Sequence, residues 1–266
     1  MHSVTDSVHW SKRFFLVLLS VQLLIVQLFV GASAMAQSLN DAFHDDFDAV
    51  LRAHVSDGRV DYPAIAQDAR FSRYLERLAA TEVNPDLPLA ERLAFWVNAY
   101  NALAIDGILS GGSPSSLLGR LSYFKRDKYE VDGREITLYD LERDVIIPLG
   151  DNRIHFAIVC ASASCPPLLA EAFVPSKIDE QLEAQSVGFV NDPSKNTFDL
   201  GRQRMRVSKI FDWFKDDFAA EAGSVQDYVA RYVRDADVKA ALAEGRWRVR
   251  YHKYDWSLNG IAPDEG

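Results

Sequence analysis

The chain has 266 residues, 48% of them hydrophobic and 25% charged, with a net charge of −9 and two cysteines. That mix excludes a disordered chain, a collagen-like repeat and a disulfide-dense miniprotein. The acidic balance, with no basic stripe beyond Arg246, Arg248 and Arg250, argues against nucleic acid as a partner, because phosphate binding needs clustered cations.

Lys12 and Arg13 precede an apolar run from Phe14 to Val30, which ends in Gly31-Ala32-Ser33-Ala34-Met35-Ala36. A charged start, an apolar middle and an Ala-x-Ala end read as a secretory signal over 1–36, cut after Ala36. The alternative is an uncleaved anchor, for which a 17-residue run broken by Gln22 and Gln27 is short. Cleavage leaves one domain, 37–266, with a net charge of −10 and no stable membrane insertion, working in a bacterial periplasm. Its thiols would then face an oxidising compartment.

Asn40 reads as the cap of a first helix, in which Phe43, Phe47, Val50, Leu51 and His54 recur at helical spacing and Gly58 ends the run. Phe71, Tyr74, Leu75 and Leu78 mark a second helix. Pro88 opens a third, which continues to Gly111-Gly112 and is apolar nearly all round, so it should be central and buried. Asp132-Gly133 predicts a hairpin over 129–138, and Thr137 caps a helix through Ile147. The apolar run 153–160 reads as a buried strand, Pro166-Pro167 as a helix start, and Ser176 as the cap of the next helix. A second hairpin around Gly201, helices over 211–218 and 225–233, and a last strand over 246–252 complete the chain. Helices lead and strands gather late. The class is α+β: a single domain with a central buried helix on a small, mainly antiparallel sheet.

Three segments carry chemistry. On the third helix Asn98 and Asn101 share a face, with Tyr100 close by. They are either structural amides satisfying buried backbone or a polar strip lining a substrate site. The second segment runs from His155 to Leu168 and holds Cys160, Ser162 and Cys165. Cys165 stands directly before a proline favoured at a helix start, where unpaired N–H groups stabilise a thiolate, so Cys165 is the candidate nucleophile and His155 its base. Against this, the only two cysteines lie five apart in an oxidising compartment, and a Cys160–Cys165 disulfide is the competing reading. The third segment is Tyr251 to Gly260, where Asp255 or Asn259 can orient a histidine. The scattered remaining histidines give no metal site, and no phosphate loop or other cofactor motif is present in the sequence.

Val60-Asp61-Tyr62, Phe95-Trp96-Val97-Asn98-Ala99-Tyr100-Asn101-Ala102-Leu103, the His155–Leu168 segment and Asp255-Trp256-Ser257-Leu258-Asn259 together resemble the family known as domain of unknown function 547. That family is in turn distantly similar to the papain and transglutaminase-like group, in which a central helix bears a nucleophilic Cys, followed by His and then Asp or Asn. The resemblance implies the order Leu89–Leu109 helix, His155, then Asp255 or Asn259. This chain departs from it, since the helix offers Asn98, Tyr100 and Asn101 but no cysteine. Two functions follow as expectations. One is a cysteine–histidine hydrolase or acyl transferase on a peptide or small thiol peptide, with Cys165 attacking and Asn98, Tyr100, Asn101 and Ser162 binding substrate. The other is a non-catalytic periplasmic binding protein for a peptide or small molecule, stapled by Cys160–Cys165. The oligomeric state is left open.

Overall fold

A computed structural model of the chain describes residues 39–263; the signal expected over 1–36 lies outside them. A 3-10 turn, Asp41–His44, leads into the helix Asp45–His54, followed by Tyr62–Ala66 and Ala69–Ala80. Asn40 makes no side-chain cap. The helix Leu89–Leu109 is the axis of the fold, and everything from Leu93 to Ile105 on it is buried. Phe47 stacks flat on Tyr74 with ring centroids 4.9 Å apart, and Phe95 and Trp96 meet edge to face.

The described residues form a mixed helix-and-sheet fold, as α+β predicts. The single mainly antiparallel sheet does not form. Three small sheets take its place: Val55–Ser56 with Arg59–Asp61 and Gly260–Ile261, the hairpin Lys128–Val131 with Arg134–Thr137, and Thr197–Asp199 with Arg204–Val207 and Arg248–Tyr251. Two of their pairings are parallel, because the C-terminal strands return to join elements far upstream in sequence. Gly260 lies so close to Val60 that a Cβ there would strike the Val60 carbonyl. The Asp132-Gly133 turn adopts the two positive φ angles its sequence predicts.

Local readings fail where side chains reorganise the backbone. Residues 153–160 are not a strand; Asn152–Phe156 is a 3-10 helix and the chain beyond it is irregular. No helix starts at Pro166, so Cys165 is not at a helix N-terminus. Ser176 bonds to Asp41 instead of capping, and the next helix begins at Ile178. Two helices, Leu117–Lys125 and Ala236–Glu244, were not signalled by apolar spacing. No helix among the described residues is long and apolar enough to cross a membrane.

The irregular stretch 156–174 runs through the core and cannot satisfy its own backbone. Four buried amides from two helices do so for it. Asn101 donates to the Ala157 carbonyl at 3.0 Å and accepts from the Val159 N–H at 2.8 Å. Asn98 pairs in the same two-way fashion with Phe173, at 2.6 and 3.0 Å. From the helix Ile178–Val190, Gln185 donates to the Phe156 and Pro167 carbonyls, and Gln181 to Ala172 while accepting from Val174. Asn98→Ala is therefore expected to cost about 1–3 kcal/mol for each of the two Phe173 groups left unpaired. A urea titration reads this as a lower midpoint with an unchanged slope; a wild-type midpoint would show that Asn98 is not a structural clamp.

Candidate functional site

Beyond the hairpin, Thr137 caps a short helix as its sequence predicts, accepting from the Asp140 N–H. The helix then widens into a π-helical turn, Leu141–Ile146. Such turns bulge one residue out of the ordinary ladder and recur at functional sites. Here the bulge places Glu142 and Arg143 on the wall of a cavity of about 440 Å³. The other walls come from the helix Leu117–Lys125, the irregular segment 155–165, the turn 210–214 and the C-terminal run 254–256.

Cys160 faces this cavity. Its Sγ lies 3.0 Å from the Ser162 Oγ and 3.1 Å from the Tyr254 hydroxyl, both able to donate to a thiolate. Ala161 between them adopts a left-handed φ of 56°, held by a hydrogen bond from the Asn259 N–H to its carbonyl. A non-glycine residue in that region is a strain that surrounding contacts must enforce. Here it turns the Cys160 and Ser162 side chains to one hydroxyl.

Cys160 and Cys165 are both free thiols, so the expected disulfide is absent from the structure. They are nonetheless in contact, the Cys160 N–H donating to the Cys165 Sγ at 2.8 Å. Burial opposes ionisation of Cys160, but hydrogen bonds from Cys165, Ser162 and Tyr254 outweigh it and hold the thiol below its ordinary value. Burial and the neighbouring Cys160 push Cys165 the other way. The more acidic thiol is Cys160, the reverse of the helix-start argument, because that helix does not exist.

Glu142 was not singled out from the sequence. Its carboxyl makes no hydrogen bond among the described residues, and burial raises it from 4.5 to about 7, only partly opposed by the Arg143 charge. Burial likewise pushes the Tyr100 and Tyr254 phenols up, so both stay protonated donors at neutral pH.

His155 lies in the same wall, fully covered, with its ring stacked on Phe214 at a centroid distance of 3.9 Å. Its Nε2 is 3.1 Å from an Asp217 carboxylate oxygen, and its Nδ1 is buried with no partner among the described residues. Burial lowers His155 despite Asp217, leaving a neutral imidazole that donates through Nε2 to a carboxylate held low chiefly by that same bond. No hydrogen bond joins His155 to either thiol.

Of the residues singled out from sequence, Tyr100, His155, Cys160 and Cys165 line the one cavity, and Ser162 touches it through Cys160 and Tyr254. Asn98 and Asn101 do not line it; both amides are committed to backbone. The carboxylate on His155 comes from Asp217, not from Asp255 or Asn259. Asp255 is exposed and caps its own turn at Ser257, while the Asn259 amide accepts from the Tyr62 hydroxyl at 2.8 Å. Asp217 sits in an Asp216-Asp217 pair, and Glu142 in a Glu-Arg-Asp run, both of which read as solvated faces. Only the π turn and the fold of 210–217 bring them inward. Among the described residues no group of three or more His, Cys, Asp or Glu is placed to hold a metal ion.

A family model described as "Protein of unknown function, DUF547" matches residues 85–190. The resemblance to that family holds over this stretch. It contains the central helix, the π turn, His155 and both cysteines. Asp217 and Tyr254 lie beyond it. No curated protein and no solved structure matches the chain.

The raised Glu142 carboxyl has a thermodynamic signature. Between pH 4.5 and about 7 the folded state holds a proton that the unfolded chain releases, so this group lowers stability as pH rises through that window, with the full penalty above it. Glu142→Gln is expected to melt higher than wild type at pH 8, with the gap closing toward pH 4.5. A gap that does not change with pH would mean that the carboxyl ionises as freely as in water.

Proposed function

We propose that the protein is a cysteine-dependent hydrolase or acyl transferase in which Cys160, rather than Cys165, is the nucleophile. The observation that carries this is the polarised thiol: Cys160, held below its ordinary value by three hydrogen-bonding neighbours, stands in a cavity wall with a Glu142 carboxyl that burial raises to about 7. A thiol so stabilised supplies its thiolate at neutral pH without a directly bonded base.

In the first step the Cys160 Sγ forms a bond to the substrate's acyl carbon, whose carbonyl oxygen becomes an oxyanion facing the Tyr100 phenol. The intermediate collapses, the bond to the leaving group breaks, and the leaving group takes the Glu142 proton. Water, or a second nucleophile, then attacks the thioester and gives its proton back to Glu142, restoring the Cys160 thiolate. A carboxyl near neutrality suits this exchange in both directions. His155 keeps its Nδ1 unprotonated because Nε2 is committed to Asp217, the state a base needs, and it positions the Phe214 wall. The order Glu142, His155, Cys160, Asp217 departs from the Cys-His-Asp order of the papain and transglutaminase-like group. The chemistry of that group is the analogy here, not its residue order.

Export through the 1–36 signal is part of this reading and bears on the thiols. The 2.8 Å contact between the Cys160 N–H and the Cys165 Sγ also favours a second reading, a binding protein whose two cysteines close into a bridge in an oxidising compartment. Alkylation of the native, exported protein with iodoacetamide at pH 7.5, read by mass spectrometry, separates the two. Preferential modification of Cys160, with Cys165 protected, is expected. Cys160→Ser should then remove turnover of a model thioester by a factor of 100 or more, on the order of what nucleophile and acid–base groups contribute. A bridge that survives mild reduction, or labelling of Cys165 first, would end the catalytic reading.

A further inference from the structure

The mouth of the cavity has a composition that the acyl-transfer chemistry does not require. Its helix, Leu117–Lys125, turns apolar side chains outward: Leu117 is 75% exposed, Leu118 78% and Leu121 38%. Trp213, 40% exposed, stands in the same cavity wall and joins Tyr254 and Trp256 in a cluster with ring centroids 4.5–5.6 Å apart. Exposed apolar side chains gathered at one cavity mark a surface that meets an apolar partner.

The second observation is charge. Three cations lie over aromatic rings of the same wall: Arg120 4.6 Å from Trp256, Lys125 4.1 Å from Tyr139, and Arg143 5.0 Å from Phe214. Among the described residues none of the three has a carboxylate within ion-pairing distance, whereas Arg52, Arg70, Arg77, Arg153 and Arg231 each have one. Three such cations gathered around one apolar cavity make a site for an anion attached to something apolar. A cationic ligand would meet repulsion there. A peptide would bring backbone donors and acceptors that these largely hydrocarbon walls leave unpaired.

We propose that the ligand of this site is a soluble single-chain anionic amphiphile, its apolar acyl body lying against Phe124, Trp213 and Trp256 and its anionic head held by Arg120, Lys125 and Arg143. The inference deepens the acyl-transfer reading and rests on it for the word acyl. The cavity is of the size that encloses a small molecule rather than the surface of a macromolecule. In this geometry the head lies among the cations, and the acyl carbon, between head and apolar chain, is the atom that meets the wall where Cys160 and Glu142 stand.

The test separates ligand class from catalysis by using Cys160→Ser, which cannot form a thioester. Decanoate, decanol and decyltrimethylammonium, each below its micelle concentration, are titrated while tryptophan fluorescence is followed. Decanoate is expected to bind about tenfold or more tightly than the cation. The preference should shrink in Arg143→Gln and in Arg120→Gln/Lys125→Gln, both at exposed or half-exposed positions, with melting temperatures unchanged and with a marked dependence on salt. Equal binding of the three probes, no binding of decanoate, or binding only to anionic phospholipid vesicles would each overturn the proposal. Selective decanoate binding with no turnover of a decanoyl thioester by wild type would instead leave the ligand class standing and sink the catalytic reading.

Discussion

A stretch of irregular backbone cannot cross a protein core unless its N–H and C=O groups find partners. In this protein that burden falls on four buried amides. Asn98 and Asn101 from the helix Leu89–Leu109, and Gln181 and Gln185 from the helix Ile178–Val190, hold Phe156 to Val159, Pro167 and Ala172 to Val174, while the stretch between is tied to the C-terminal run through Ala161, Ala163 and Ser164. The segment so held carries Cys160, Ser162 and Cys165, with His155 just before it. A regular strand or helix would satisfy its own backbone, but it would present side chains at fixed intervals. Outsourcing the backbone bonds frees this segment to take the left-handed φ at Ala161 and to bring Cys160 and Ser162 to the same tyrosine.

The same constraint joins the two halves of the molecule's interior. Ile154 and Ala157 belong to the core around the central helix, whereas Phe156 belongs to a second core with Phe189, Phe211, Phe218 and Tyr228. His155 sits between them, covered by Phe214 and bonded to Asp217. The cavity opens beside this seam. Its polar groups differ in the protonation state their surroundings impose: a thiol made more acidic by donors, a carboxyl made less acidic by burial, an imidazole kept neutral, and two phenols kept protonated. Displacing such groups in opposite directions gives one wall, near neutral pH, the two protonation states that the proposed acid and nucleophile require.

Much was legible in the residues. The burial of the central helix follows from its all-round apolar character, and the Asp132-Gly133 hairpin and the Thr137 cap follow from local chemistry alone. The importance of the His155–Leu168 segment was visible in its residue types. Its conformation was not: Pro166-Pro167 and the apolar run 153–160 are ordinary start and strand signals, overridden here by side-chain amides 18 to 75 positions away. Once the helix at Pro166 is gone, the argument for Cys165 goes with it, and the acidity passes to Cys160.

Glu142, Asp217 and Tyr254 show the other limit. In sequence, a glutamate between leucine and arginine and an aspartate following another aspartate look like solvated surface. Whether a carboxylate is solvated depends on what packs over it, and that comes from segments remote in the chain. The sequence by itself determined the α+β class, the buried axis, the local turns and the stretch in which the thiols lie, because these depend on neighbours within a few residues. Which thiol is acidic, which carboxylate meets His155, and that unpaired cations ring an apolar cavity were decided only by tertiary structure. Burial and long-range hydrogen bonds set those properties, and neither is a property of spacing.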